Sequence, residues 1–176
     1  MNPVRPRYAY IERLANRLLA DTQVTSAPVP VEEIAQSRGC TIVPASLNDV
    51  SGILVRSAES VTIGVNSRHS QTRKRFTIAH ELGHLLLHRG QEVRYDHSFR
   101  YSLRSGVSST GTDIEEIEAN FFAASILMPD NLLKNDPRAE FIDMNDESAV
   151  RELAAEFKVS QQAMALRLAR LLDRRT

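Results

Sequence analysis

Residues 72–89, TRKRFTIAHELGHLLLHR, constrain the fold of this chain more than any other stretch. They predict a helix, with Ser70 or Thr72 placed to cap its start and Gly90 placed to stop it. Within it, His80-Glu81-Leu82-Gly83-His84 is an HExxH motif. Two histidines four residues apart project from one helical face, so both imidazoles can reach one ion. Zinc is held by imidazole nitrogen at about 2.0–2.1 Å, a distance a rigid helix reproduces well. Glu81 lies about 100° further round the helix, where it approaches a metal-bound water rather than the metal. A catalytic zinc wants three protein ligands, and one helix cannot supply the third. His88 continues the same face but stands too far from His80 to share the ion, so a supporting or helix-terminal role suits it. The metzincin pattern would need Gly at 87 and His at 90, where this sequence has Leu87 and Gly90.

The third ligand must come from another element, and the charge distribution points to one. The chain's 22 basic and 22 acidic residues cancel, which disfavours a histone-like nucleic-acid binder and an acidic disordered tail. The balance is uneven along the chain: residues 1–112 carry a net +5, residues 113–147 a net −8, and residues 148–176 a net +3. The acidic stretch opens with Asp113-Ile114-Glu115-Glu116-Ile117-Glu118-Ala119-Asn120, the start of a predicted helix over 113–128 that Pro129 stops. Acids at a helix start are favoured by the macrodipole, which accounts for part of the cluster. Glu116 and Asn120, four apart on one face, suggest more: a carboxylate ligand, and an amide that accepts the N–H of a ligating histidine. Glu116 ranks ahead of Glu118, with Glu115 and Asp113 behind. Ile117, Phe121, Ala124 and Met128 are expected to face the core.

The rest of the chain reads as α+β. A helix over 8–20 is marked by Ile11, Leu14, Ala15, Leu18 and Leu19, and a short one over 31–38 runs from Pro30 to Gly39. Three short strands follow, over 41–44, 52–56 and 61–65, the last two joined by the hairpin SAES. Residues 93–112 are polar and aperiodic, and read as a functional or disordered loop. Helices over 146–157 and 160–172, joined at Lys158-Val159-Ser160, form a helix-turn-helix-like pair. The expected division is a core over 1–145 and the helical pair over 146–176. Cys40 is the lone cysteine, so disulfide frameworks, cysteine zinc ribbons and CxxC redox chemistry are out. The N-terminal residues hold no signal-like apolar run, and no stretch approaches the roughly 18 apolar residues of a membrane span. A cytoplasmic protein with no membrane partner is the expectation.

The blocks VPVEEIAQSRGCTIVP, SGILV, TIGVN, RKRFTIAHELGHLLLH and EEIEANFFAASILMP, in that order, resemble the ImmA/IrrE metallopeptidases of bacteria and their mobile elements. The resemblance implies a reduced zincin fold, with a small sheet packed beside the active-site helix. It implies His80, His84 and Glu116 as ligands of Zn²⁺, with Mn²⁺ as the alternative metal, and Glu81 as the catalytic base that activates a zinc-bound water. It also implies a narrow endopeptidase whose substrate is a helix-turn-helix repressor, cleaved to release stress-response or mobile-element genes. The competing reading is a non-catalytic, zinc-stabilised regulator that binds a repressor or DNA. Zincins commonly add a second oxyanion donor, for which Tyr95, His97, Arg100 and Tyr101 are candidates.

Three further expectations concern surfaces. Strand 61–65 is a candidate edge for an extended substrate peptide. The basic cluster Arg68, His69, Arg73, Lys74 and Arg75 is expected to pair with the acidic start of helix 113–128 rather than with DNA. In the C-terminal pair, Lys158 replaces the usual turn glycine, which lowers the odds of base readout. Arg167, Arg170, Arg174 and Arg175 nevertheless leave DNA contact open.

Overall fold

The computed structural model describes residues 5–88, 92–96, 111–140 and 147–173, and its architecture is α+β. Helix α1 (Tyr8–Asp21) buries Ile11, Ala15, Leu18 and Leu19, the face its periodicity predicts. Helix α2 (Val31–Ser37) is followed by β1 (Cys40–Ala45), β2 (Gly52–Arg56) and β3 (Val61–Asn66). Helix α3 (Gln71–Leu87) carries the histidines, with the Ser70 hydroxyl accepting the Arg73 N–H as its cap. Then come β4 (Val93–Asp96), α4 (Gly111–Leu127), α5 (Asp130–Lys134), α6 (Pro137–Glu140), α7 (Glu147–Phe157) and α8 (Gln161–Asp173).

The four strands form one sheet in the order β1-β3-β2-β4. The SAES hairpin pairs β2 antiparallel to β3, with Leu54 opposite Ile63. β1 runs parallel to β3, with Ile42 opposite Ile63. This order corrects one expectation: β3 is interior, its backbone committed to β1 and β2, so residues 61–65 cannot receive a substrate strand. β4 corrects another. Residues 93–96 belong to no loop but pair antiparallel with β2, Gly52 opposite Asp96 and Val55 opposite Val93. Four residues are too few to show a period of two, and their order comes from the partner strand. The short helices α5 and α6 escape periodicity for the same reason.

Helix α4 packs between α3 and α1, and its burial has no single face. Ala119, Phe122, Ala123 and Ile126 are fully buried, whereas Ile117 and Ala124 are half-buried. Of the stripe expected at 117, 121, 124 and 128, Phe121 and Met128 are buried as expected, while Ile117 and Ala124 are only half-buried. A helix covered on most sides loses the amphipathic signal that would orient it.

What sets the distance between α3 and α4 is Gly83. A Cβ there would lie 3.1 Å from Phe122 Cδ1, 3.2 Å from Ala119 Cα and 3.3 Å from the Ala119 carbonyl oxygen. The helices run antiparallel at this contact: His80 lies by Asn120, and His88 by Glu118. The acidic start of α4 thus meets the C-terminal half of α3, away from the basic cluster at its N-terminus. Arg75 turns instead to Glu32 and the Val29 carbonyl, and Arg73 to the Ser51 hydroxyl.

Helices α7 and α8 join at Lys158, which takes the left-handed φ of +52° that glycine would otherwise supply, and Ser160 caps α8 through the Ala163 N–H. Arg167, 3% exposed, donates to the Met128 carbonyl and pairs with Asp130. That corrects its candidacy for DNA contact: it fastens α8 to the end of α4. Arg170 lies over the Phe121 ring at 5.5 Å, and Arg174 and Arg175 lie outside the described residues. Among the described residues, no helix is long and apolar enough to cross a membrane.

If the Gly83 contact holds the two helices together, Gly83→Val should lower stability by about 1–3 kcal/mol through crowding. Gly83→Ala should lie near neutral, because a helix-propensity gain of about 1 kcal/mol offsets a smaller clash. Urea denaturation decides, and a Gly83→Val protein as stable as wild type sinks the idea.

Candidate metal centre

Three side chains converge where α3 faces the first turns of α4. His80 Nε2 and His84 Nε2 lie 3.0 Å apart. Glu116 Oε2 is 3.4 Å from the first and Oε1 is 3.4 Å from the second. Ligands at about 2.0–2.1 Å from a tetrahedral zinc stand about 3.3–3.4 Å from one another, so this spacing fits a single ion closely. The outward nitrogens are also engaged: His80 Nδ1 lies 3.1 Å from Asn120 Oδ1, and His84 Nδ1 lies 3.0 Å from His88 Nδ1. With the Nδ1 atoms held from behind, both Nε2 atoms aim inward. His84, His88 and Glu115 also bring candidate ligand atoms within 4.8 Å of one another. His88 in that group is tied through Nε2 to Glu118, which leaves its Nδ1 to meet His84.

The electrostatics suit a cation. Burial pushes the His84 imidazole down to about 3, with Glu116 opposing and His80 and Arg94 reinforcing the shift, so it is neutral and carries a lone pair. Burial alone would raise the Glu116 carboxyl, but hydrogen bonding from His80 and His84 holds it well below the usual carboxylate range. Two imidazole nitrogens and one carboxylate form a donor set of the kind found in catalytic zinc sites.

Glu81 is fully buried. Its carboxylate reaches the start of β2, where a Cβ on Gly52 would stand 3.0 Å from Glu81 Oε1 and 2.4 Å from Thr77 Cγ2. Only glycine lets the sheet approach α3 so closely at that point. The cleft beside His80 and Glu116 is walled by Phe76 and Thr77 of α3, by Asn120, and by Ser160, Gln162 and Ala163 at the start of α8.

Among the residues predicted from sequence, His80, His84, Glu116 and Asn120 come together, and His88 lies directly behind His84. Glu118, the second choice for a ligand, turns away to His88 and Arg7. Glu115 pairs with Arg94 at 3.2 Å, and the side chain of Asp113 lies outside the described residues. Tyr95 stands on β4 opposite Ile53, 55% exposed. His97, Arg100 and Tyr101 also lie outside the described residues. Among the described residues of this segment, Arg94 reaches the site, pairing with Glu116 as well as Glu115. Sequence reading missed it because nothing marked 93–96 as a strand with alternating faces. It missed Arg7 because a single arginine ahead of a helix carries no signal of a partner 111 residues away.

The family described as the IrrE N-terminal-like domain (Peptidase_M78) matches residues 35–169, a span that includes α3 and α4 entire. The chain belongs to this metallopeptidase family. It is 27% identical over 138 residues to an uncharacterised immunity region protein 2 of Bacillus phage phi105, covering 78% of this chain and 80% of that one. In structure it is similar to a Mycobacterium tuberculosis transcriptional regulator, with a TM-score of 0.58 and 16% identity. That match takes in 93% of this chain but only 46% of the other, so the chain spans about half the length of that protein. At this identity the likeness is one of fold.

The contact at Gly52 makes its own prediction. Gly52→Ala should cost about 1–3 kcal/mol in thermal denaturation. Adding Thr77→Ser, which removes the methyl that the new Cβ would strike, should recover a good part of that loss. Strictly additive effects would show that the sheet and α3 are not in register through this pair.

Proposed function

We propose that this chain is a zinc-dependent endopeptidase of narrow specificity, with His80, His84 and Glu116 as metal ligands and Glu81 as the catalytic base. The observation that carries the reading is the convergence of two imidazoles and one carboxylate at the spacing of a single ion, with a buried glutamate next in sequence to the first. A divalent cation bound there supplies Lewis-acid polarisation of a peptide carbonyl and acidifies water. Zn²⁺ is the metal of choice for this donor set, with Mn²⁺ as the alternative, because imidazole and carboxylate do not select strictly.

The protein's own residues perform the remaining steps. Glu81 accepts a proton from the attacking water and returns it to the leaving amine. Asn120 accepts the Nδ1–H of His80 and keeps that ring's lone pair turned to the metal. Arg94 holds Glu116 in place and brings positive charge beside the developing oxyanion, a role for which Tyr95, His97 and Tyr101 remain candidates. The cleft between α3, α4 and the start of α8 receives the substrate. In this reading residues 1–145 carry the catalytic core, and the helical pair at 146–176 contributes a wall of the cleft. The zincin kinship of the core belongs to the same proposal.

The substrate is a protein, in this proposal a helix-turn-helix repressor met in the cytoplasm, whose cleavage releases stress-response or mobile-element genes. Support comes from the phage immunity region named for one relative and from the regulator named for the other.

Co-expression with a candidate helix-turn-helix repressor tests the reading, comparing wild type with Glu81→Gln and with a His80/His84 double replacement. Glu81→Gln should keep its metal but lose about 10²–10⁴-fold in cleavage rate, the usual worth of a general base. Chelation should abolish cleavage, and Zn²⁺ or Mn²⁺ should restore it. If Glu81→Gln relieves repression with no repressor fragment formed, the chain acts by binding, and the protease reading fails.

A further inference from the structure

Behind His84 runs a line of hydrogen bonds that leaves the metal centre altogether. His84 Nδ1 lies 3.0 Å from His88 Nδ1, and His88 Nε2 lies 3.0 Å from Glu118 Oε2. Glu118 in turn accepts from Arg7 three times over: from the backbone N–H at 2.7 Å, from Nε at 3.0 Å and from Nη2 at 2.6 Å. Arg7 Nη2 also donates to the Leu87 carbonyl, 3.1 Å away at the end of α3. Arg7 itself is the residue from which α1 begins, and its carbonyl accepts the Ile11 N–H. His84, His88 and Glu118 are all buried.

The protons on this line have one arrangement compatible with a cation. A neutral imidazole carries one N–H, so a ring that turns the Nε2 lone pair to a metal must be protonated at Nδ1. His84 Nδ1–H then donates to His88 Nδ1, which must be the bare nitrogen. His88 is therefore protonated at Nε2, and that N–H meets a carboxylate fixed by a guanidinium. Reversing the line puts a proton on His84 Nε2, pointing it at the ion. The carboxylate at the far end thus selects the metal-binding tautomer.

We infer that Arg7, Glu118 and His88 are positioning residues that set the tautomer of His84, and that through them the docking of α1 is coupled to metal affinity. The inference rests on the metal-site reading above. His80 Nδ1 meets an amide of α4, Asn120, instead. Coupling of this kind is reciprocal: a metal that needs one tautomer of His84 stabilises the seat of Arg7, and loosening Arg7 weakens the metal.

The test is Zn²⁺ affinity of the full chain, measured by competition with a chromophoric chelator, with folding of each variant checked by circular dichroism. His88→Leu should bind Zn²⁺ about 10–100-fold more weakly. His88→Gln, whose carbonyl can accept from His84 and whose amide can donate to Glu118, should recover most of the loss. Arg7→Ala, distant from the ion, should weaken binding by about fivefold or more. A folded His88→Leu variant with wild-type affinity overturns the line and leaves the metal site standing. Wild-type protein that binds no Zn²⁺, or binding that survives replacement of both His80 and His84, overturns the site and the line together. Should His88→Leu not fold, the zinc-loaded wild type decides by long-range nitrogen–proton NMR correlation. Protons on His84 Nδ1 and His88 Nε2 support the line, and a proton on His88 Nδ1 rules it out.

Discussion

The separation of α3 and α4 is the quantity on which the rest of this molecule depends. His80 and His84 come from one helix and Glu116 from the other, so their mutual distances are distances between helices. Gly83 sits inside the HExxH motif, on a part of the turn that meets Ala119. The two intervening residues of such a motif carry no chemistry, yet here one of them fixes whether the chemistry can assemble. A side chain of ordinary size at 83 would move Glu116 outward along with all of α4, and a carboxylate displaced by even 1 Å leaves ligand spacing. Packing and function share one contact.

That dependence explains which parts of the structure were legible beforehand. His80, Glu81 and His84 follow from helix geometry alone, because their relationship is local. Asn120 and Glu116 were legible because their own spacing on α4 copies the spacing on α3. The strands at 52–56 and 61–65 showed themselves by alternation and by a plausible hairpin. What failed to show was whatever depends on a distant partner. β4 acquires its shape from β2, Arg94 acquires a position only once β4 exists, and the Arg7–Glu118 pair spans most of the chain. The basic cluster before α3 misled because charge complementarity is blind to direction. Two antiparallel helices set the acidic start of one against the C-terminal end of the other, and Arg75 found Glu32 instead.

The same geometry resolves the acidic stretch that opened at residue 113. Three of its carboxylates are partnered: Glu115 and Glu116 share Arg94, Glu116 also lies by the two histidines, and Glu118 takes Arg7 and His88. The cations come from β4 and from the entry to α1, elements that reach α4 from different sides. A buried carboxylate without such partners would shift toward its neutral form, and a neutral Glu116 would be a poor ligand. Part of the negative charge at the start of α4 is thus met locally by cations from distant parts of the chain.

Arg94 occupies an instructive place in this arrangement. A guanidinium paired with a ligand carboxylate repels an incoming dication, which argues for weaker metal binding. Yet it also holds Glu116 oriented before any cation arrives, so less order has to be imposed on binding. Which effect prevails depends on lone pairs. A carboxylate has about four acceptor positions. Arg94 approaches Oε1, and His80 lies by Oε2. One oxygen can thus serve the metal while the other stays with Arg94, so the guanidinium need not leave for the ion to enter. In the proposed centre the carboxylate is already held by its supporting partner, and a permanent positive charge stands beside it on the side of β4. Any negative charge that develops on a substrate at this centre would feel both the ion and the guanidinium.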